Sequence, residues 1–160
     1  MDLTNKVGVK LTLAECIKSE TAIRRQIDNT PTQEHFEAMF LLATKVYDPL
    51  CKKLGAKLPF TSFYRSPKLN RAIGGSANSQ HSKGQAMDID VDSMASITNS
   101  VVFNAILNLF EFDQLILEFP DKNGNPAWVH VSYKKSGNRK QVLVASKVNG
   151  KTVYTHYPHG

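Results

Sequence analysis

The stretch Ser79-Gln80-His81-Ser82-Lys83-Gly84-Gln85-Ala86-Met87-Asp88-Ile89-Asp90 decides how this chain folds. It begins as a polar turn that contains a glycine and continues as an apolar run, a pattern typical of a loop that leads into a buried strand. If the second half is extended, Ala86, Asp88 and Asp90 lie on one face, because strand side chains alternate. The turn then brings His81 back towards Asp88, and imidazole nitrogen and carboxylate oxygen are both zinc ligands.

A second segment, Trp128-Val129-His130-Val131-Ser132, is expected to supply a third ligand. Its alternation places Trp128 and His130 on one face of a neighbouring strand. A catalytic zinc uses three protein ligands and leaves its fourth position to water or substrate. The sequence therefore predicts a metal site made of His81, Asp88 and His130. Asp90 is the competing carboxylate, and Trp128 is expected to pack beside the site.

Taken singly, each of these side chains has an ordinary explanation. A lone histidine is usually solvated or hydrogen-bonded, and we interpret His35, His156 and His159 in that way. An aspartate can cap a turn, but Asp88 lies among apolar residues, where an unpaired charge is costly. A nearby cation would offset that cost, so the combination of residues favours the metal site.

Five residues stand in the order S-x-H-x-x-G-x-A-x-D: Ser79, His81, Gly84, Ala86 and Asp88. With His130 in its Trp-Val-His-Val-Ser segment, they resemble the zinc D-alanyl-D-alanine carboxypeptidase family, to which the VanY-like peptidases and phage endolysins belong. The similarity extends upstream to Ser62-Phe63-Tyr64-Arg65-Ser66-Pro67-Lys68-Leu69-Asn70 and, more weakly, to Ile27-Asp28-Asn29-Thr30-Pro31. It covers most of the chain, from about Leu11 to Tyr133.

The resemblance implies a fold and a reaction. The fold is of the Hedgehog/DD-peptidase type, a single α+β domain in which an antiparallel sheet carries one Zn²⁺ and helices pack against the sheet. The reaction is hydrolysis of a peptide bond in the stem peptides of bacterial peptidoglycan, either as a D,D-carboxypeptidase or as an L-alanyl-D-glutamate endopeptidase. The alternative is a non-catalytic zinc domain that binds cell wall or a protein partner.

Glu118 is the predicted general base and acid for the water that zinc acidifies. A strand over 114–119, a turn at Asn123-Gly124 and the segment from Trp128 form a hairpin in which Glu118 is expected directly opposite His130, on the same face. The resembled family usually carries an acidic residue in E-x-x-H, and here Ala127 occupies that position. Asp121 is therefore an alternative candidate for the general base and acid. A further alternative is that catalysis is impaired.

Substrate-binding residues are expected around a surface loop over 67–80. Arg65 ends the strand predicted over 58–64, and its guanidinium could hold a substrate carboxylate with two hydrogen bonds. The resembled family has a substrate-binding arginine near this strand end. Ser79 matches the family motif and could bind the substrate backbone, and Gln80 could donate a hydrogen bond to an oxyanion.

Helices and further strands surround this site. A capping box at Thr12 opens a short helix, and Thr30-Pro31 is expected to open a longer one that ends at Gly55. An amphipathic helix is predicted over 97–110, and a hairpin with strands over 140–147 and 152–157. The longer helix carries a predicted core stripe of Phe36, Met39, Phe40, Ala43, Val46, Tyr47 and Leu50.

The whole chain is expected to be one peptidase domain and a monomer. Its 160 residues carry a net charge of +6, and no acidic residue follows Asp121. We divide it into a core over 11–133 and a basic hairpin extension over 134–160, which could attract anionic wall polymers; nucleic acid ranks last as a partner. Cys16 and Cys51 are expected to be reduced thiols.

The first ten residues lack an apolar stretch, and no run is long enough to span a membrane. The expectation is a protein made in the cytoplasm without a signal peptide. It would then reach the cell wall after lysis or from a virion, as a phage or prophage lysin does.

Overall fold

The computed structural model describes residues 2–158. The strands are β1 (Lys6–Val7), β2 (Leu11–Thr12), β3 (Phe60–Ser62), β4 (Ala86–Ile89), β5 (Gln114–Glu118), β6 (Trp128–Ser132), β7 (Gln141–Val148) and β8 (Lys151–His156). The α-helices are α1 (Leu13–Cys16), α2 (Glu20–Arg24), α3 (Gln33–Leu42), α4 (Asp48–Leu54), α5 (Pro67–Ala72) and α6 (Asn99–Leu109).

One six-stranded sheet organises the domain, in the order β3-β4-β6-β5-β7-β8. Every neighbouring pair is antiparallel except β5 and β7, which run parallel. Alternate residues of the central strands are buried beneath the helices: Met87, Ile89, Leu115, Leu117, Val129 and Val131. The other face is therefore left for polar side chains, and the predicted α+β fold with an antiparallel-rich sheet is confirmed.

The longest helical region joins α3 to α4 through a π-helical segment, Ala43–Tyr47. This segment precedes Pro49, which has no backbone N–H to donate, and a π-turn is one way for a helix to absorb such a residue. The helix ends at Gly55, as predicted, and Gly55 adopts the left-handed conformation. Most of the predicted apolar stripe is buried, but Phe40 is 45% exposed, so its assignment to the core was wrong.

The start of α3 also differs from the prediction. Thr32 is the N-cap, because its hydroxyl accepts a hydrogen bond from the backbone N–H of His35. Thr30 instead donates its N–H to the Asp28 carboxylate, and Pro31 precedes the helix. The capping box at Thr12 is confirmed, with reciprocal bonds between Thr12 and Glu15.

The span 67–80 is only partly the loop that we predicted. Pro67 opens α5, and the Ser66 hydroxyl caps this helix by accepting a hydrogen bond from the N–H of Leu69. A serine followed by proline is a start signal for a helix, so the sequence held the information. Only the residues between α5 and the 3₁₀ turn Gln80–Lys83 form a loop.

The carboxy-terminal hairpin belongs to the main sheet. Strand β7 pairs with β5 over five residues, and β8 pairs with β7 and forms the sheet edge. The hairpin thus lies beside the strand that carries Glu118. Among residues 2–158 no helix has the length and apolar character needed to cross a bilayer.

Candidate metal centre

His81, Asp88 and His130 meet on the polar face of the sheet. His81 Nε2 is 3.2 Å from Asp88 Oδ2, and His130 Nδ1 is 2.9 Å from Asp88 Oδ1. One ligand atom from each residue can be chosen so that all three lie within 4.8 Å of one another. Two imidazole nitrogens and a carboxylate oxygen so arranged form a donor set that suits zinc.

Strand pairing places two of the three side chains. Asp88 on β4 lies directly opposite His130 on β6, and directly opposed residues of an antiparallel pair share a face. Their neighbours Met87, Ile89, Val129 and Val131 point to the other face and are fully buried. The alternation of buried and site-facing side chains that the sequence predicts is therefore present in both strands.

The turn before β4 places His81, and Gly84 makes that turn possible. Gly84 has a φ of +68°, and an added Cβ would lie 2.3 Å from the carbonyl oxygen of His35. Neither the conformation nor the space suits a larger residue. His81 Nδ1 lies 2.7 Å from the carbonyl oxygen of Phe63. Donation of that N–H to the carbonyl leaves Nε2 as the ligand atom facing Asp88.

The electrostatics favour the protonation states that metal binding requires. Burial lowers the pKa of His81, although Asp88 opposes this effect, so the imidazole is held neutral at pH 7. Burial acts to raise the pKa of Asp88, but His81 and His130 outweigh it and hold that pKa well below its usual range. A neutral imidazole and an ionised carboxylate are ready ligands, and the residues present therefore fit a zinc ion.

The remaining candidate ligands lie elsewhere. Asp90 accepts hydrogen bonds from the Asn99 side chain and from the backbone of Asp92, and it stands outside the cluster, so it is not the competing ligand. His35 Nδ1 is 3.1 Å from the Tyr64 hydroxyl, and His156 is exposed. His159 lies outside the described residues.

Glu118 lies on the same face as His130 but not directly opposite it. The residue opposite Glu118 is Trp128, and the residue opposite His130 is Ile116. The predicted register was wrong by two residues because the turn is centred on Asn123. A shift of two residues preserves the face of every side chain, and Glu118 still lines the same cleft as the three candidate ligands.

Asp121 accounts for this register. Its carboxylate accepts hydrogen bonds from the backbone N–H groups of Asn123 and Asn125, which closes the turn. Asp121 is exposed and is not among the residues that line the cleft, so the structure does not bring it to the site. Glu118 is 6% exposed, and burial raises its pKa to about 7, with Asp88 adding to the shift and His130 opposing it.

A cleft of about 610 Å³ surrounds the cluster, and Arg65, Ser79 and Gln80 all line it. The Nε atom of Arg65 is buried without a hydrogen-bond partner in the described part of the chain. Gln80 is less available than predicted, because its amide donates to the buried carboxylate of Asp113 at 3.0 Å. Two other grooves, of about 760 and 810 Å³, lack the His-Asp-His cluster.

Two parts of the site were not predicted. Asp113 supports the 3₁₀ turn through its hydrogen bond with Gln80, and it also pairs with Lys134 and Arg139. Tyr154 on β8 lines the cleft. Neither position could be found from its neighbours in the sequence, because Asp113 is an isolated aspartate and Tyr154 lies in an alternating basic hairpin. Trp128 lies beside the site, as predicted, because it lines the same cleft, and its ring centroid is 5.3 Å from that of Phe119.

The fold and the cluster together define a site of the metallopeptidase type, with a candidate metal centre and a separate carboxylate in one cleft. The sequence profile of the family described as Peptidase M15 matches residues 9–132. The chain therefore belongs to the Peptidase M15 family, which supports its assignment as a peptidase and a hydrolase. A search of curated proteins finds no match to it.

Proposed function

We propose that this protein is a zinc peptidase that hydrolyses stem peptides of bacterial peptidoglycan. The observation that carries the proposal is the presence of His81, Asp88, His130 and Glu118 in one cleft on one face of the sheet. The two histidines and Asp88 would hold the ion. Zinc, when bound, would polarise the scissile carbonyl and acidify a water molecule.

Glu118 is the proposed general base and general acid. Its carboxylate takes a proton from the attacking water while the water oxygen adds to the carbonyl carbon of the peptide bond. As the bond between carbon and nitrogen breaks, the same carboxyl group returns the proton to the leaving amine. In the metal-free protein burial raises the pKa of Glu118 to about 7, and a carboxyl group that readily gains and loses a proton near neutral pH suits both steps.

Arg65 is the proposed anchor for a substrate carboxylate. Its buried Nε lacks a partner within residues 2–158, and its side chain faces the cleft. A planar guanidinium binds a carboxylate with two parallel hydrogen bonds. Ser79 lines the same cleft and would contact the substrate backbone. Gln80 has the weaker case, because Asp113 already accepts from its amide.

The setting that we propose is a phage or prophage cell-wall lysin that acts as a monomer, after lysis or from a virion. Its support is the resemblance described above and the basic carboxy-terminal region, which would favour anionic wall polymers. Finding the protein outside intact cells that carry no lysis genes would contradict this setting. The peptidase proposal does not depend on it.

Release of new amino groups and of free D-alanine from purified peptidoglycan tests the proposed reaction. We expect release by the zinc-loaded protein, none after chelation, and a large loss in Glu118→Gln that still holds its metal. The products distinguish a D,D-carboxypeptidase from an L-alanyl-D-glutamate endopeptidase. If the metal-loaded protein binds several wall types but releases nothing from any of them, the non-catalytic binding domain is the correct alternative.

A further inference from the structure

The hairpin of β7 and β8 forms a wall of the cleft. It lies beyond residues 9–132, the part of the chain that matches the family profile. Four of its residues line the cleft together with the candidate metal ligands: Gln141, Leu143, Thr152 and Tyr154. Arg65 follows β3, which is at the opposite edge of the sheet from β8, and small and polar residues of the loop after α5, including Gly74 and Ser76, also line the cleft. The hairpin residues therefore line the space that a bound substrate would occupy.

Strand register places Tyr154 in line with Glu118. Trp128, Glu118, Ala145 and Tyr154 are successive direct partners across β6, β5, β7 and β8. Direct partners point to the same face, so the four side chains form one row on the face of the metal cluster. Ala145 has no exposed surface although it lies in this row. Larger side chains beside it must cover it, and its two neighbours in the row are Glu118 and Tyr154.

Tyr154 is also free to bind. The residue is 53% exposed, and its hydroxyl makes no hydrogen bond within the described part of the chain. A tyrosine hydroxyl keeps its proton at neutral pH and can act as a donor, and the pKa of Tyr154 is raised further, first by burial and then by Glu118 and Asp88. Leu143 adds an apolar side chain to the lining of the same cleft.

We propose that Tyr154 contacts the substrate on the acyl side of the scissile bond. This inference rests on the proposed function, because Arg65 at the other end would hold a carboxylate on the leaving-group side. The ring packs on the substrate chain above Leu143, and the hydroxyl donates a hydrogen bond to a substrate carbonyl. The β7–β8 hairpin thereby selects substrates that are extended on the acyl side.

The sheet geometry sets how long such a substrate must be. Three strand spacings separate β6 from β8, and at about 4.8 Å each they amount to roughly 14 Å. An extended peptide advances about 3.4 Å per residue. Because the tyrosine side chain reaches part of the way back, about two or three acyl residues are needed for contact. A peptide with a single acyl residue is too short.

A series of synthetic stem peptides with one to four acyl residues and a constant leaving group tests the inference. We expect Tyr154→Ala to raise KM about tenfold on the longer peptides, with kcat nearly unchanged, and to leave the shortest peptide unaffected. Tyr154→Phe, which keeps the ring, is expected to show a smaller rise. Thr155→Ala is the matched control, because Thr155 is also exposed but points to the opposite face.

Calorimetry with the metal-loaded Glu118→Gln protein gives a second readout that does not depend on turnover. Adding Tyr154→Ala to it should weaken binding of the longer peptides about tenfold and leave the shortest unchanged. An effect of Tyr154→Ala that is equal at all lengths, absent, or accompanied by loss of zinc would overturn the inference. If the wild-type protein neither cleaves nor binds any of these peptides, the proposed function fails together with the inference.

Discussion

Asp88 and His130 lie directly opposite each other on β4 and β6, and Asp88 Oδ1 is 2.9 Å from His130 Nδ1. The partner strands thus hold the two side chains together before any ion binds. Asp88 also contacts His81, so one carboxylate links both histidines. The site is preorganised by the sheet, and its metal affinity should depend on this single residue.

We therefore expect Asp88→Asn to lose zinc. The amide is neutral and a poorer ligand, and its loss should weaken binding by at least about 100-fold, since even residues that only support a ligand contribute about 10–100-fold. Metal analysis after dialysis against a competing chelator measures the change. The control is Asp90→Asn, two residues further along the chain. This variant should keep its zinc. Equal zinc content in the two variants would contradict the assignment of Asp88.

Glu118 is expected to reduce stability at neutral pH. Its pKa is about 7 in the folded protein against 4.5 as the ordinary value, so the folded state binds its proton more tightly than the unfolded chain. The contribution of this group to the free energy of unfolding therefore falls as pH rises from about 4.5 to about 7. Glu118→Gln cannot ionise. In the metal-free protein we expect it to be more stable than wild type at pH 8.

Urea titrations of the wild-type and Glu118→Gln proteins at pH 4 and pH 8 measure this difference. The increase in the free energy of unfolding caused by Glu118→Gln should be larger at pH 8 than at pH 4. Glu111→Gln is a suitable control, because Glu111 is an exposed residue that pairs with Lys140 on the surface. A gain of the same size at both pH values would show that burial of the Glu118 charge is not the cause.

Asp113 is expected to make stability sensitive to acid. It is fully buried, and burial alone would raise its pKa, but hydrogen bonds from Arg139, Lys134 and Gln80 outweigh this and hold the pKa well below its usual range. The stabilisation is therefore complete above the pKa of the unfolded chain and is lost as pH falls through the folded value. Its contribution to the free energy of unfolding should decline from about pH 5 towards pH 2.

The variant Asp113→Asn should lose this part of the acid dependence. It should also destabilise the protein at pH 7 by about 2 kcal/mol or more, because the basic groups around it lose their partner. Denaturant titrations across the pH range measure both effects. An unchanged acid slope in Asp113→Asn would rule out Asp113 as the group responsible.

Gly84→Ala tests the turn that places His81. A left-handed φ costs a residue with a Cβ about 1–2 kcal/mol, and at Gly84 the new atom would also overlap the carbonyl oxygen of His35. Gly55→Ala is the matched control, since Gly55 has a similar φ but open space around it. We expect a clearly larger loss of stability and of zinc affinity in Gly84→Ala. Equal losses of stability and zinc affinity in the two variants would contradict this expectation. They would show that the overlap between the new Cβ and the carbonyl oxygen of His35 is relieved without disturbing the metal site.

Local patterns in the sequence were sufficient for much of the fold and for the candidate ligands. Alternation predicted the buried strand at Asp88 and the strand at His130, and helical spacing predicted α6 and the long helix. These predictions succeed because side-chain periodicity is a property of a short segment and of the face that it must bury. The motif around Gly84 was also local, since a left-handed turn demands glycine.

Only the tertiary structure decided which residues share the cleft. The carboxylate of Asp121 closes the β5–β6 turn and so sets Glu118 opposite Trp128. The parallel pairing of β5 with β7 brings Tyr154 into the row of Glu118. A segment's own periodicity cannot reveal such pairings, because register and strand order depend on burial and hydrogen bonding across the whole sheet. The sequence by itself therefore determined the candidate ligands, while packing of the whole sheet determined the walls around them.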